Sequence, residues 1–199
     1  QCTAVDSAGR EVTFDPDVTS AASSAQLVSR PLVDVACTTP GQCTTVDNAG
    51  NEVTFDPFTP GDPGVKSAAI DPGTPLARVV CPLESQCTAV DTAGKEITFN
   101  PNAPGTPAAV TIDGTLPLAG VACPSISQCT AVDVKGNEVT FNPTSPSTPK
   151  PVAAVAGGQL TAVSCPSASQ CTATAFDGRE VTFNPKSPGT ITAATLSSG

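Results

Sequence analysis

A string of sixteen residues, first seen as "QCTAVDSAGREVTFDP", recurs along the chain in five closely related copies. The copies begin at Gln1, Gln42, Gln86, Gln128 and Gln170, which are 41, 44, 42 and 42 residues apart. A period of this size is typical of solenoids, propellers and arrays, in which each unit buries its apolar face only against neighbouring units. We therefore expect a single domain over residues 1–199, built from five equivalent units.

The short-range pattern within each unit predicts four strands. The first reads Leu-x-x-Val-x-Cys, as in "LARVVC" from Leu76, and the second reads "QCTAVD". A turn containing Gly leads to "EVTF" or "EITF", whose apolar and polar residues alternate as in a half-buried strand. Pro then ends the strand, and a variable stretch leads to a weaker fourth run. With no helical pattern anywhere, we predict an all-β, five-bladed β-propeller with four-stranded blades of about 42 residues.

The first repeat lacks the Leu-x-x-Val-x-Cys strand, which occurs only before repeats two to five. We expect the first blade to miss one strand, and Cys2 to be unpaired or bonded to another molecule. Three explanations are open: the sequence is a fragment of a longer chain, the ring closes imperfectly, or a neighbouring copy completes the blade. Head-to-tail contacts of the last kind build a filament unless their rotation closes a ring.

Eight of the nine cysteines form four pairs with five residues between the partners. If strands flank each pair, a disulfide would staple a hairpin, and so short a loop gains about 2 kcal/mol per bridge. Zinc is the competing interpretation, but structural zinc sites prefer closer ligands and the chain contains no His. Disulfides favour an oxidising compartment, so we expect a secreted or cell-surface protein. The predicted pairs are Cys37 with Cys43, Cys81 with Cys87, Cys123 with Cys129, and Cys165 with Cys171.

The string "LTAVSCPSASQCTATAFDGREVTF" from Leu160 resembles the repeats of secreted bacterial β-propellers related to the BNR and photosystem-stability-factor-like groups. The resemblance covers about the first half of each repeat and implies a propeller architecture. The Asp-box of that family, Ser-x-Asp-x-Gly-x-Thr-Trp, is absent, and "TFNPTSP" from Thr140 stands in its place. The resemblance therefore implies no hydrolase activity for this chain.

Carboxylates recur beside the Gly of the turn, with an Asp three positions before it and a Glu two positions after it. They could form weak calcium sites or acid/base pairs. Alternatively, the Asp caps the turn through backbone amides while the Glu faces solvent. We favour the structural interpretation, because a catalytic site is normally unique whereas this pair occurs in nearly every unit. The candidate cation sites are Asp6, Asp47, Asp91 and Asp133, and the recurring glutamates are Glu11, Glu52, Glu96, Glu138 and Glu180.

Composition excludes several classes of function. A chain without His cannot assemble a Ser/His/Asp or Cys/His site. A net charge of -9 with scattered basic residues argues against a nucleic-acid partner, and no apolar run is long enough to span a membrane. The absence of Trp and Tyr disfavours a lectin. We expect the recurring phenylalanines to be core residues: Phe14, Phe55, Phe99, Phe141 and Phe183.

These features predict a non-catalytic extracellular structural protein of bacterial type, with no cofactor beyond weakly bound calcium. We expect its partners to be copies of itself, assembled into a filament or surface layer. Proline-rich loops, cross-links and the absence of Met, Trp, Tyr and His suit a long-lived building block. The main alternative is a module that binds a glycan, a protein or the cell surface through its variable loops. A carboxylate-dependent glycoside hydrolase or lyase is the third candidate, although repeat five has Ala175 in place of the turn Asp.

Overall fold

The structure is a computed structural model, and it describes residues 1–18, 22–59, 65–145, 147–188 and 191–196. These residues form nineteen strands in five antiparallel sheets and contain no helix, which confirms the all-β prediction. In particular, none of the described segments is a long apolar helix of the kind that crosses a membrane.

Each sheet corresponds to one sequence repeat, and we call the sheets blades one to five in chain order. Blade one has three strands: β1 (Cys2–Val5), β2 (Arg10–Phe14) and β3 (Ser23–Gln26). Blade two contains β4 (Leu32–Thr39), β5 (Gln42–Asp47), β6 (Asn51–Phe55) and β7 (Lys66–Ala69). Blade three contains β8 (Leu76–Leu83), β9 (Gln86–Asp91), β10 (Lys95–Phe99) and β11 (Ala109–Thr111). Blade four contains β12 (Leu118–Ser125), β13 (Gln128–Asp133), β14 (Asn137–Phe141) and β15 (Val152–Ala153). Blade five contains β16 (Leu160–Ser167), β17 (Gln170–Ala175), β18 (Arg179–Phe183) and β19 (Ala193–Thr195).

Strands follow one another in space as they do along the chain, so every blade is a meander. Blade one begins with the counterpart of β5, and the described residues include no counterpart of β4 in this blade, as the repeat pattern predicts. In the other four blades a disulfide joins the first strand to the second. The bonded pairs are Cys37–Cys43, Cys81–Cys87, Cys123–Cys129 and Cys165–Cys171.

The turn between the second and third strands explains the recurring Asp and Gly. In blade two, Asp47 Oδ1 accepts hydrogen bonds from the amides of Ala49 at 2.8 Å and Asn51 at 2.9 Å. The same two bonds form at Asp6, Asp91 and Asp133, so the predicted capping role is confirmed. At Gly136, φ is +91°, and an added Cβ would lie 2.0 Å from the carbonyl oxygen of Val155. Only glycine fits this turn.

The alternation of side chains gives each blade two different faces. In blade four, Cys129 pairs with Phe141 and Ala131 with Val139 across β13 and β14, and we call this side of a blade the apolar face. On the other side, Thr130 pairs with Thr140 and Val132 with Glu138, and we call this side the threonine face.

Blades stack with the apolar face of one on the threonine face of the blade before it. Val132 of blade four belongs to the same buried cluster as Cys171, Val181 and Phe183 of blade five. The two other buried clusters are built in the same way, with Val46 or Val90 packed against the following blade. First strands also pack side by side, β4 with β8, β8 with β12 and β12 with β16. The hydrophobic core is therefore divided among the blade junctions.

Candidate association surfaces on the first and fifth blades

A buried glutamate lies at the centre of each covered threonine face. In blade two, Thr54 Oγ1 donates to Glu52 Oε2 at 2.8 Å and lies 3.0 Å from Thr44 Oγ1 on the neighbouring strand. Equivalent bonds form in blades one, three and four, and the glutamates there are also buried. The expectation that these glutamates face solvent was wrong. Side-chain alternation places them between blades, where the following blade covers them.

Burial makes the charged form of these glutamates unfavourable. It raises the pKa of Glu52, Glu96 and Glu138 to about 7, against a weaker opposite effect of the threonine hydrogen bonds. Burial also raises the pKa of Glu11. In Glu11 and Glu52 the second carboxyl oxygen has no hydrogen-bond partner in the described residues. The junctions that follow blades two, three and four therefore each contain a carboxyl group that holds its proton up to about pH 7.

Among the described residues, no blade lies over the threonine face of blade five. Thr182 is exposed, and Thr172, Thr174 and Glu180 are only partly buried. Their geometry nevertheless matches the covered faces: Thr172 Oγ1 lies 2.7 Å from Thr182 Oγ1, which donates to Glu180 Oε2 at 3.4 Å. Thr174 stands where the other described junctions have Val46, Val90 or Val132. Thr has nearly the shape of Val, and its hydroxyl suits an open surface.

The apolar face of blade one is uncovered as well. Phe14 is 40% exposed, whereas its four equivalents are 5–6% exposed. Cys2 and Ala4 on the neighbouring strand are exposed too, and Cys2 is a free thiol. The prediction of a core role was correct for Phe55, Phe99, Phe141 and Phe183 and wrong for Phe14. The reason is that neither a first strand nor a preceding blade covers Phe14 in the described residues.

Each of these two open faces matches one side of a blade junction. The junctions that follow blades two, three and four each join a threonine face to an apolar face, and the faces left uncovered in the described structure are the apolar face of blade one and the threonine face of blade five. Among the described strands, no extensive contact joins blade one to blade five. The described residues thus expose complementary surfaces on the first and last blades of the stack.

A second set of titratable groups lies at the loops between blades, beside the turn Asp. At the junction of blades one and two, Arg30 Nε lies 2.6 Å from Asp47 Oδ2. Although burial opposes the shift, the Asn51 amide and the Arg30 guanidinium hold the pKa of Asp47 below its usual value. This turn Asp is therefore neutralised by a cation from the preceding blade.

The next two junctions contain pairs of carboxyl groups. Burial raises the pKa of Asp113 to about 7, and the neighbouring Asp133 carboxyl raises it further. Burial and the Asp71 carboxyl likewise raise the pKa of Asp91. As carboxylates, Asp71, Asp91 and Asp113 each leave one buried oxygen without a donor, so a shared proton is the simplest way to satisfy each pair.

The junction of blades four and five contains neither group. Val155 occupies the position of Asp71 and Asp113, and Ala175 occupies that of the turn Asp. Both lie in the apolar cluster of this junction. Repeat five therefore departs from the repeat pattern at Ala175, and the loop that faces it departs from the pattern at Val155. The sequence signal that could have revealed this pairing is the change of the two positions together from one repeat to the next.

Metal binding at the turn aspartates stays a prediction. In the parts of the chain that the structure describes, no group of three or more His, Cys, Asp or Glu side chains is placed to hold a metal ion. At Asp6, Asp47, Asp91 and Asp133 the carboxylates accept backbone hydrogen bonds of the turn.

No protein-family model and no curated protein sequence matches the chain. Among solved structures, the chain is similar to the RRP9 WD40 repeats, with a TM-score of 0.77 and 6% identity over 92% of this chain and 58% of that chain. It is also similar to U3-55K, with a TM-score of 0.75 and 4% identity over 92% of this chain and 58% of that one. The β-propeller domain of Myceliophteria thermophila Cps50 (Swd1) gives a TM-score of 0.71 and 11% identity over 92% of this chain and 64% of that domain. The chain thus spans less than two thirds of the length of these structures, and the likeness confirms the β-propeller fold.

Proposed function

We propose that the protein is a non-catalytic extracellular structural β-propeller that associates with copies of itself, blade on blade. The apolar face of blade one in one copy stacks on the threonine face of blade five in the next. The single observation that carries this proposal is the repetition, at the junctions within the chain, of the interface whose two halves are left open. The absence of His and the four disulfides support a non-catalytic role outside the cell.

The two surfaces differ, so the contact is heterologous and each copy retains one free face after pairing. Such contacts build open filaments or closed rings according to the rotation between neighbours. Thr174 fits this role, because it keeps the shape of the Val at other junctions without exposing an apolar side chain in the free protein. An association of this kind is reversible, whereas the junctions within the chain are permanent.

Sedimentation velocity and negative-stain electron microscopy at pH 5.5 test the proposal. We expect concentration-dependent assemblies of the unmodified chain. Phe14→Asp on blade one and Thr174→Lys on blade five should each abolish them, because either change places a charge inside the contact. Matched controls are Phe58→Asp and Thr195→Lys, at exposed positions away from both faces. The controls should assemble like the unmodified chain.

Mixing the two disrupted variants gives the sharper result. Phe14→Asp retains an intact blade five, and Thr174→Lys retains an intact blade one, so an equimolar mixture should form a one-to-one dimer that grows no further. A chain that remains monomeric at all concentrations would overturn the proposal. So would a mixture of the variants that forms no dimer while the unmodified chain assembles.

A second candidate function, binding of a small polar ligand such as a glycan, is favoured by a cleft between blades two and three. Its volume is about 160 Å³, and its lining includes Gln42, Asp56, Lys66 and Asn102. Amide, carboxylate and ammonium groups around a shallow surface suit hydrogen bonding to sugar hydroxyls. A glycan array would support this candidate if binding is lost in Asp56→Ala and retained in Asp15→Ala, the equivalent change in blade one. An array without any binding would overturn it.

A further inference from the structure

Glu180 is the member of the recurring glutamates that lies on an open threonine face. Its counterparts Glu52, Glu96 and Glu138 are at most 2% exposed and lie under the next blade. Glu180 has the same threonine partner as they have, but solvent still reaches it. Any blade that stacks here in the manner of the other junctions must therefore bury a fifth carboxyl group.

In the described residues of blade five, the strands beside Glu180 bring no positive charge to its carboxyl group. Across the sheet, Glu180 pairs with Thr174 on β17 and Ala194 on β19, which are both uncharged. The adjacent Arg179 lies on the opposite face and forms an ion pair with Asp177 at 2.6 Å. The threonine hydroxyls can donate hydrogen bonds, but the buried counterparts have the same bonds, and burial still raises their pKa to about 7.

The described side chains of the incoming blade one bring no unpaired cation to this carboxyl group either. Its apolar face presents Cys2, Ala4 and Phe14, and its β2 begins with Arg10, which is engaged with Asp6 at 3.1 Å. The junction of blades four and five is a direct precedent. There Arg179 occupies the position of Arg10, and nothing but the Thr140 hydroxyl opposes the effect of burial on the pKa of Glu138.

We propose that head-to-tail association takes up a proton at Glu180, so that acidic pH drives assembly and alkaline pH dissolves it. This inference rests on the proposed function. The sign follows from linkage: the associated state binds the extra proton, so association strengthens as protons become more available. The buried counterparts titrate at about 7, which places the transition between roughly pH 5 and pH 7. Association should weaken about tenfold per pH unit across that window, or about a hundredfold in all.

The experiment measures the dissociation constant by sedimentation equilibrium at pH 5.5, 6.5, 7.5 and 8.5 for the chain and two variants. Glu180→Gln keeps the shape and the threonine hydrogen bond without the charge. Its association should stay as tight at pH 8.5 as that of the unmodified chain at pH 5.5. Glu84→Gln, at an exposed turn, is the matched control for net charge and should follow the unmodified chain. Circular dichroism of each monomer verifies that the fold is retained.

The outcomes separate the inference from the function on which it rests. If neither the chain nor Glu180→Gln associates at pH 5.5, the proposed function fails together with this inference. If both associate with the same pH dependence, the proposed function stands and proton uptake at Glu180 is refuted. The inference would also be refuted if Glu84→Gln weakened the pH dependence of association as much as Glu180→Gln does, because the effect would then reflect net charge alone.

Discussion

At the scale of the residue, the same side chain has different consequences on covered and open blades. The recurring glutamate is buried in blades one to four and partly exposed in blade five, although in every blade it accepts a hydrogen bond from the threonine two residues later. The turn Asp is neutralised by Arg30 at one junction and faces a second carboxyl group at the next two. What determines the state of each group is the blade that lies next to it.

Glu96→Gln should stabilise the protein at alkaline pH. The amide still accepts the hydrogen bond from Thr98 but carries no charge into the junction, while the pKa of Glu96 is about 7. At pH 8 we expect the free energy of unfolding to rise by about 1 kcal/mol. At about pH 4 we expect little gain, because Glu96 is then mostly neutral in both the folded and the unfolded chain. Urea unfolding at both pH values checks this, with Glu84→Gln as the exposed control.

Asp113→Asn tests the carboxyl pair at the junction of blades three and four. The amide would supply a permanent donor toward Asp133 and remove one of two like charges, so the variant should gain about 1 kcal/mol at pH 8. The pKa of Asp113 is about 7, so the gain should shrink as the pH falls below 7 and be nearly gone at about pH 3, where Asp113 is neutral in the unfolded chain as well. An equal loss of stability at both pH values would show that the pair does not share a proton.

At the scale of the element, the first strand distinguishes blade one from the rest. Strands β4, β8, β12 and β16 pack against one another and each is bonded to its second strand through a disulfide. At Gly120 of β12, an added Cβ would lie 3.2 Å from the Cα of Ala162 on β16, so these strands approach closely. In the part of the chain that the structure describes, blade one has no such strand, and Phe14 and Cys2 are exposed.

Removing one bridge should have a modest and local cost. We expect the double change Cys123→Ala and Cys129→Ala to lower the free energy of unfolding by about 2 kcal/mol, since the closed loop is short. Cys2→Ser should leave stability unchanged, because this thiol is free and exposed. Urea unfolding measures both effects. Mass analysis of the alkylated, unreduced chain should find one modified cysteine, and more than one would contradict the four pairings.

The strands could be predicted from the sequence because their signals are local. Alternation in "EVTF", the Gly of the turn and the cysteine spacing each act within a few residues, and the structure places strands where these patterns predict them. The burial of Glu52 and the exposure of Phe14 could not be predicted in this way. Both depend on whether another blade covers the face, which is a property of the stack and has no signal within one repeat. The Asp71 and Asp91 pair was missed for the same reason.

At the scale of the whole molecule, the division of the core among the junctions makes stability the sum of repeated contacts. In such arrays each unit is stabilised mainly by its neighbours. The end blades have one neighbour each in the described structure, so they should open first. Their open faces are also where we propose that a second copy adds the missing contacts. Association would thus stabilise the weakest blades.

The buried carboxyl groups should give the whole protein an unusual dependence on pH. Burial raises the pKa of Glu52, Glu96, Glu138 and Asp113 to about 7, so the folded state binds more protons than the unfolded chain. Their contribution is fully present below about pH 4 and is lost as the pH rises through about 7. The pKa values of Asp6, Asp47 and Asp177 are lowered, so these groups act in the opposite sense. Their contribution to the stability of the folded state is lost as the pH falls below about 4.

The free energy of unfolding should therefore be greatest near about pH 4 and fall by a few kcal/mol by about pH 8. The curve is measured as the urea unfolding midpoints of the Thr174→Lys variant between pH 4 and pH 9, at protein concentrations low enough to keep this variant monomeric. Using that variant separates folding from association, since its blade five cannot accept a second copy. The triple change Glu52→Gln, Glu96→Gln and Glu138→Gln should flatten the curve above pH 5. If the curve stays steep in the triple variant, other groups bind the protons that cause the pH dependence, because the amides keep the hydrogen bonds from threonine and remove only the charges.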